Sequence, residues 1–286
     1  MKNILLIFFC LAIFSCQNKT TNTNTTNDST VLAETGNVTT PDSVEKPVFK
    51  DSLPYQIIHF YKATKKSSIP KDSNKFAYLK ADYPRFADKQ KFLNNQVLNI
   101  ITAEPWTGNK SNSIDKAAES FFKEYLAFKK EVPESPAGYE WDENLKVSFQ
   151  DKDLIVLTSD SYFYTGGAHG MNGLSYFNLD LKSAKELKLK DLLNAGYETK
   201  LTAIAEEIFR KDEGLSKDEA LDNYFFENKA FNLNENFAIT AKGLLFTYNP
   251  YEIKAYAEGR TNLFIPYTRI TNLIKPNSFI SKYVNK

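Results

Sequence analysis

The chain has 286 residues, with 36 lysines and arginines against 35 aspartates and glutamates. It therefore lacks the basic excess that favours nucleic acid or an anionic membrane surface, and we expect no nucleic-acid partner. The only cysteines are Cys10 and Cys16, so the remainder of the chain has no disulfide and no thiolate metal site.

The N-terminus has the pattern of a secretory signal. Lys2 precedes an apolar run over residues 4–14, which is about half of the roughly 20 residues that a membrane-spanning helix needs. A basic start, a short apolar segment and a small residue before Cys16 predict a lipoprotein signal peptide over residues 1–15, with the lipid on Cys16. Plain secretion is the alternative.

Residues 16–47 are rich in asparagine and threonine and contain no aromatic residue. Such a segment buries too little apolar surface to offset its ordering entropy. We predict a disordered tether that holds the remaining chain roughly 30 Å from the lipid. The expected location is the cell envelope, with the protein lipid-anchored at the periplasmic or outer-membrane face.

The body of the chain begins with two predicted strands, at 55–61 and at 75–83, the second stopped by Pro84. Apolar residues at helical spacing then predict two amphipathic helices, around 93–101 and 114–125.

β structure follows the two helices. Alternating residues at 145–149 and a long run at 154–164 predict a hairpin, and after a glycine-rich loop residues 176–181 alternate again. A third amphipathic helix, over 201–209, is expected to end before Gly214.

The C-terminal part is again rich in β structure. Strands at 237–240 and 244–248 flank a turn in which Gly243 is expected to take a positive φ, and 262–267 is a further strand. Short turns between strands, with helices in separate blocks, predict an α+β fold of antiparallel sheets with helices packed on one face. We expect two consecutive modules, 48–173 and 174–286.

Known catalytic patterns are hard to find. The two histidines, His59 and His169, lie far apart in the sequence and no HExxH spacing exists, so we expect neither a metal site nor a cofactor. No G-x-S-x-G motif supports a serine nucleophile. Glycan hydrolysis by a pair of carboxylates remains an alternative, although no pair of acidic residues is distinguished from the others.

One glycine-rich loop, YFYTGGAHG, contains one of the two histidines. Gly166 and Gly167 suit positive φ, and His169 can hold the turn by bonding a neighbouring carbonyl. Alternatively the loop tip, with Tyr162 and Tyr164, contacts a partner. The two interpretations are compatible.

A second cluster, YNPYE, is followed closely by YAEG, which spans 256–259. Tyrosine offers a rigid surface with a polar tip, which suits recognition, although some of these rings will line the core. The predicted binding residues are Tyr162, Tyr164, Gly166, Gly167, His169, Tyr248, Tyr251 and Glu252.

Four segments resemble a known family: YFYTGGAHG, YFNLDLKSAKELKLKDLL, ITAKGLLFTYNPYEIKAYAEG and FIPY. They are similar to the extracytoplasmic region of RsiV-type anti-sigma factors, whose modules also accompany the catalytic domain of PdaC-type peptidoglycan deacetylases. The resemblance runs from about residue 50 to residue 275 and implies an antiparallel α+β fold. For the RsiV type it implies direct binding of lysozyme.

The chain departs from both types. A predicted signal peptide stands where the RsiV type has its sigma-binding segment, so we do not expect sigma-factor control. Two distant histidines cannot supply the metal site of a deacetylase. The predicted function is a non-enzymatic, lipid-anchored module that binds a lysozyme-like protein or peptidoglycan. The alternative is a glycan or cell-wall hydrolase that uses unidentified carboxylates.

Overall fold

The computed structural model describes residues 52–65, 76–104 and 108–284. The predicted signal peptide, the tether and Cys16 lie outside these residues. The strands are β1 (Tyr55–Ala63), β2 (Ala77–Phe86), β3 (Tyr139–Asp151), β4 (Leu154–Tyr164), β5 (Met171–Asp180), β6 (Lys185–Glu186), β7 (Phe237–Ile239), β8 (Gly243–Tyr248) and β9 (Thr261–Pro266). The helices are α1 (Lys91–Ile101), α2 (Ile114–Glu131), α3 (Leu189–Leu192), α4 (Glu198–Asp212) and α5 (Tyr267–Ile270).

The first six strands form one sheet in the order β1-β2-β3-β4-β5-β6, and β7-β8-β9 form a second sheet. All neighbours are antiparallel except β2 and β3, which are parallel. The parallel pair is possible because α1 and α2 carry the chain back to the end where β2 began. The predicted α+β class is confirmed, with antiparallel pairing dominant and this one pair as the exception.

The sequence predicts that β2 stops at Pro84, but the strand continues through this proline to Phe86. The N–H and C=O groups of Phe86 bond the Asn94 side chain and therefore face away from β1. Alternate residues of a strand face the same edge, so the Pro84 nitrogen also faces away from β1. Pairing with β3 has ended at Asp82, so the missing proline N–H costs no ladder bond.

Helices α1 and α2 pack against one face of the six-stranded sheet. The stripe of α1 buries Leu93, Val97 and Ile101, as its spacing predicts. Ser113 caps the N-terminus of α2, where its side chain accepts the N–H of Lys116. The buried residues of the two helices join Leu79, Ala81, Trp141, Ile155 and Leu157 of the sheet in one hydrophobic core.

Strand β4 separates this core from a second one. Ile155 and Leu157 point into the core beneath α1 and α2, whereas Leu154 and Val156 point into the core of the C-terminal part. Side chains alternate along a strand, so β4 is buried on both faces here. Helix α4 buries Leu201, Ala205 and Phe209 in the second core, and Gly214 follows it at φ +70°, as predicted.

Gly243 is needed for a reason other than the predicted one, because it is absent from the residues with positive φ. A Cβ at this position would overlap the carbonyl oxygen of Ile265 on the neighbouring strand. The predicted turn between β7 and β8 is present, but the glycine is required by the close approach of two backbones.

Asparagine side chains join the C-terminal part to the outer edge of β5. The Asn249 amide accepts the N–H of Leu174 at 2.7 Å and donates to its C=O at 3.1 Å. Asn236 accepts the N–H of Tyr176 and donates to the same Leu174 carbonyl. Asn178 lies on β5 itself, and its side-chain amide donates to the Phe237 carbonyl and accepts the Ile239 N–H of β7. The first two amides stand in for part of a missing strand and satisfy the backbone of β5 at Leu174 and the N–H of Tyr176.

The module boundary predicted between residues 173 and 174 falls inside β5, which pairs with β4 from Met171 to Asp180. Among the described helices, none combines the length and apolar character needed to cross a membrane.

Candidate functional site

The glycine-rich loop connects β4 and β5, which pair up to Phe163 and Met171. Gly166 and Gly167 have φ values of +98° and +99°, as predicted for these two positions. The Tyr164 hydroxyl donates to the carbonyl oxygen of Gly167 at 3.0 Å. The loop is therefore closed by its own side chain as well as by its glycines.

Both ring nitrogens of His169 are bonded. Nδ1 lies 2.9 Å from the carbonyl oxygen of Gly170, which can only accept, so Nδ1 carries a proton. Nε2 lies 3.1 Å from the Tyr251 hydroxyl, which donates to it when the imidazole is neutral. The predicted bond from His169 to a neighbouring carbonyl is present, and a second bond reaches the other candidate motif.

His169, Tyr251 and Tyr256 form what we call the ring cluster. The His169 ring stacks on Tyr256 with centroids 4.3 Å apart and on Tyr251 with centroids 6.0 Å apart. The amide of Asn172, on β5, donates to the Tyr256 hydroxyl at 2.7 Å. Stacking and hydrogen bonds thus join two loops that lie more than 80 residues apart in the sequence.

Tyr251 combines exposure with backbone strain. Its φ is +71° and 47% of its surface is exposed. A bulky residue with positive φ is unusual, because its Cβ is crowded there. Such outliers often occur where a side chain is held for binding.

Tyr162 lies beneath the loop. Gly170 is buried, and a Cβ at this position would overlap the Tyr162 ring. Burial and the nearby Glu140 carboxylate raise the pKa of the Tyr162 hydroxyl. The ring supports the backbone that presents His169.

Two predicted binding residues have different roles. Tyr248 is only 2% exposed and its hydroxyl donates to the Asn232 carbonyl at 2.7 Å, so this candidate is corrected to a core residue. Burial also raises its pKa. Glu252 accepts from the side-chain amides of Asn249 and Asn234. It stabilises the turn that carries Tyr251.

The structure adds residues that the candidate set did not contain. Tyr256 stacks directly on His169, and Met171, which is 55% exposed, follows the loop. Arg260 pairs with Asp160 of β4 at 2.6 Å. The YAEG motif marked the neighbourhood of Tyr256, but no sequence signal indicated the exposed Met171 or the pairing of Asp160 with Arg260.

The second histidine lies elsewhere. His59 Nδ1 is 2.7 Å from a carboxylate oxygen of Asp82, across the β1–β2 pair. Within residues 52–65, 76–104 and 108–284, no group of three or more histidine, cysteine, aspartate or glutamate side chains is arranged to hold a metal ion.

Comparisons with known families divide the chain into two matched regions. Residues 69–172 match the family described as "Deacetylase PdaC", and residues 190–268 match "Protein of unknown function (DUF3298)". The predicted resemblance to the modules of PdaC-type deacetylases is confirmed. The first match includes the glycine-rich loop and the second includes Tyr251 and Tyr256.

A curated relative and two solved structures agree with these matches. The chain is 26% identical over 185 residues to the peptidoglycan-N-acetylmuramic acid deacetylase PdaC of Bacillus subtilis (strain 168), a region that covers 62% of this chain but only 39% of that protein. A DUF3298 family structure from Bacteroides fragilis NCTC 9343 has a TM-score of 0.66 at 23% identity, covering 82% of this chain and 99% of its own. One from Pseudomonas aeruginosa PAO1 has a TM-score of 0.61 at 24% identity, covering 79% and 96%. These structures establish the fold.

Proposed function

Starting from a chain that contains a PdaC-type domain followed by a DUF3298 domain, we propose a non-enzymatic binding module of the cell envelope. Its proposed partner is a lysozyme-like protein, and its contact surface is the ring cluster. The observation that carries the proposal is the contact of the His169 ring with two tyrosines from the other domain, whose own rings lie 5.6 Å apart.

The ring cluster has the properties of a protein-binding surface. Tyr251 and Met171 are about half exposed. Hydrogen bonds hold the three rings in place within the protein itself, so binding does not have to order them. Rigid tyrosines lose little conformational entropy on binding, and exposed methionine adapts to a partner surface. A few such anchors supply most of the energy of a typical interface.

The lysozyme-like partner is supported by sequence. The segments that form the ring cluster are those that resemble the RsiV type, for which the resemblance implies lysozyme binding. Because the cluster takes residues from both domains, its recognition surface requires the two domains together.

The envelope location is supported by the curated relative, whose name describes an enzyme of peptidoglycan. The predicted signal peptide and tether support a lipid anchor on Cys16. A Cys16→Ser variant should move from the membrane fraction to the soluble fraction of fractionated cells. Retention of this variant in the membrane fraction would remove the anchor from the proposal.

Calorimetric titration of the purified protein with lysozyme tests the main claim. Tyr251→Ala removes an exposed ring of the cluster and should weaken binding by about tenfold or more, as expected for an interface anchor. Tyr61→Ala is the matched control, because Tyr61 is 42% exposed but lies on β1. It should bind lysozyme as the wild type does.

Three results would contradict this function. Equal lysozyme binding by Tyr251→Ala and the wild type would remove the ring cluster from the interface. Shortening of peptidoglycan strands by the purified protein, lost on changing one carboxylate, would replace a binding module with the hydrolase alternative. Co-sedimentation with purified cell wall, weakened by Tyr251→Ala but without lysozyme binding, would instead identify peptidoglycan as the ligand of this surface and contradict the protein partner.

A further inference from the structure

The six-stranded sheet has a second aromatic surface, on the face opposite α1 and α2. Residues of β2 alternate between buried Leu79 and Ala81 on the helix side and Tyr78, Lys80 and Asp82 on the other side. The latter three are half-buried or exposed. This surface is therefore accessible at the β1–β2–β3 end of the sheet.

Strand register brings particular side chains together here. His59 stands opposite Asp82 and Tyr61 stands opposite Lys80 across the β1–β2 pair. The Phe86 N–H faces away from β1, so these alternate positions are non-hydrogen-bonded pairs, in which side chains lie closest. On the other side of β2, Lys80 is aligned with Asp142 of β3.

The groove formed there has a volume of about 410 Å³ and is lined by His59, Phe60, Tyr61, Tyr78, Lys80, Asp82 and Asp142. We call it the open-face groove. It adjoins the ring-cluster region, because Asp142 stands opposite Tyr162 in the β3–β4 register.

Two tyrosines form the aromatic wall of this groove. The rings of Tyr61 and Tyr78 stack with centroids 6.0 Å apart and 28° between their planes. The Tyr78 hydroxyl donates to Asp142 at 2.9 Å and is 3.4 Å from Glu140. The ring is thus held in place, while Tyr61 remains 42% exposed.

The charge of the groove is negative. Asp82, Asp142 and the adjacent Glu140 provide three carboxylates, against the single lysine, Lys80. Burial and the carboxylates of Asp142 and Glu140 raise the pKa of the Tyr78 hydroxyl, so the ring stays neutral. His59 hydrogen-bonds Asp82. Asp142 lies beside the aromatic wall, where it accepts the Tyr78 hydroxyl.

We propose that the open-face groove binds an oligosaccharide of amino sugars, with a sugar ring on Tyr61 and its ammonium group near Asp142. Aromatic faces pack against the C–H surface of a sugar ring and attract a neighbouring cation. The carboxylates supply charge-assisted acceptors for the ammonium and acceptors for hydroxyl groups. The combination suits a polar, cationic carbohydrate better than a neutral one.

This inference goes beyond the proposed function, because it needs neither a protein partner nor Tyr251. Each surface has its own variant: Tyr251→Ala should spare amino-sugar binding, and Tyr61→Ala should spare lysozyme binding. Failure of one claim is therefore distinguishable from failure of the other.

The test is calorimetric titration at pH 6 with a glucosamine hexamer, in parallel with the N-acetylglucosamine hexamer. The charged hexamer should bind about tenfold more tightly, with affinity that falls as salt is added. Tyr61→Ala and Asp142→Asn should each weaken its binding about fivefold or more, as expected for one cation–ring or charge-assisted contact.

A charge-gain variant keeps the test independent of folding. Lys80 is exposed, so Lys80→Glu should fold normally and bind the glucosamine hexamer more tightly than the wild type. Equal affinity for the two hexamers, no binding of either, or weaker binding by Lys80→Glu would overturn the proposal. Loss of binding in Tyr251→Ala alone would also overturn it, by assigning the sugar to the ring cluster.

Discussion

Two glycines in the same loop are required for different physical reasons. Gly167 has φ +99° and nothing within 4 Å of the position of a Cβ, so its requirement is conformational. Gly170 has no positive φ, but the Tyr162 ring occupies the space where a Cβ would stand. The sequence predicts a turn at both glycines but does not distinguish their two roles. The backbone angles and the position of the Tyr162 ring are set only in the folded hairpin.

Gly170→Ala should lower the free energy of unfolding by about 1–3 kcal/mol, the usual cost of forcing an added methyl into a packed site. It should also displace the Tyr162 ring and weaken lysozyme binding, because the same backbone presents His169. Urea unfolding and the titration measure the two effects.

Gly167→Ala is the matched control. It should cost about 1–2 kcal/mol through backbone strain, without displacing Tyr162. A Gly170→Ala protein as stable as the wild type would show that the ring has room to move.

Strands β3 and β4 share a buried carboxyl group on the helix side of the sheet. Glu143 is 6% exposed and accepts the Ser159 hydroxyl at 2.6 Å. Burial raises its pKa to about 8, although the Ser159 hydrogen bond acts in the opposite direction. Between its ordinary pKa and pH 8, folding therefore requires Glu143 to keep a proton that it loses in the unfolded chain.

The raised pKa fixes the sign of a pH effect. In the folded state Glu143 binds more protons than in the unfolded state, so its contribution to stability is greatest below pH 4.5 and falls as the pH rises towards 8. The fall should be roughly 1.4 kcal/mol per pH unit within this window. In Glu143→Gln this component should be absent.

The measurement is the difference in unfolding free energy between Glu143→Gln and the wild type at several pH values. The difference should move in favour of the variant from pH 5 to pH 8. Glu140→Gln, on the opposite face of β3, is the control and should leave the dependence in place. A difference that is constant with pH would show that Glu143 is ionised in the folded protein.

At the level of elements, local hydrophobic periodicity predicts the main helices and strands correctly. The predicted helices and the long strand at 154–164 are confirmed, since 3.6-residue and alternating patterns lie within one segment. The parallel β2–β3 pair was not predicted, because it depends on how two helices return the chain. The passage of β2 through Pro84 depends on which edge its nitrogen faces, and only the register shows this.

At the level of the whole molecule, the two loops of the candidate site were identified separately, but their contact was not. That contact follows from the asparagine bonds that hold the C-terminal part on β5, which involve Asn236 and Asn249. Tyr248 and Tyr251 stand three positions apart, yet one is in the core and the other is exposed. Burial at the end of β8 depends on the second core, which no short segment of sequence describes.

The ring cluster joins the region that matches the PdaC family to the region that matches DUF3298, and the proposed function depends on this joint surface. The most direct test is His169→Ala, measured for lysozyme affinity and for unfolding free energy in the same preparation. The variant loses one ring and its hydrogen bonds, so we predict binding weakened by about tenfold or more and stability lowered by only about 1 kcal/mol. Unchanged lysozyme affinity with the same loss of stability would contradict the claim and leave His169 as a residue that only holds its turn.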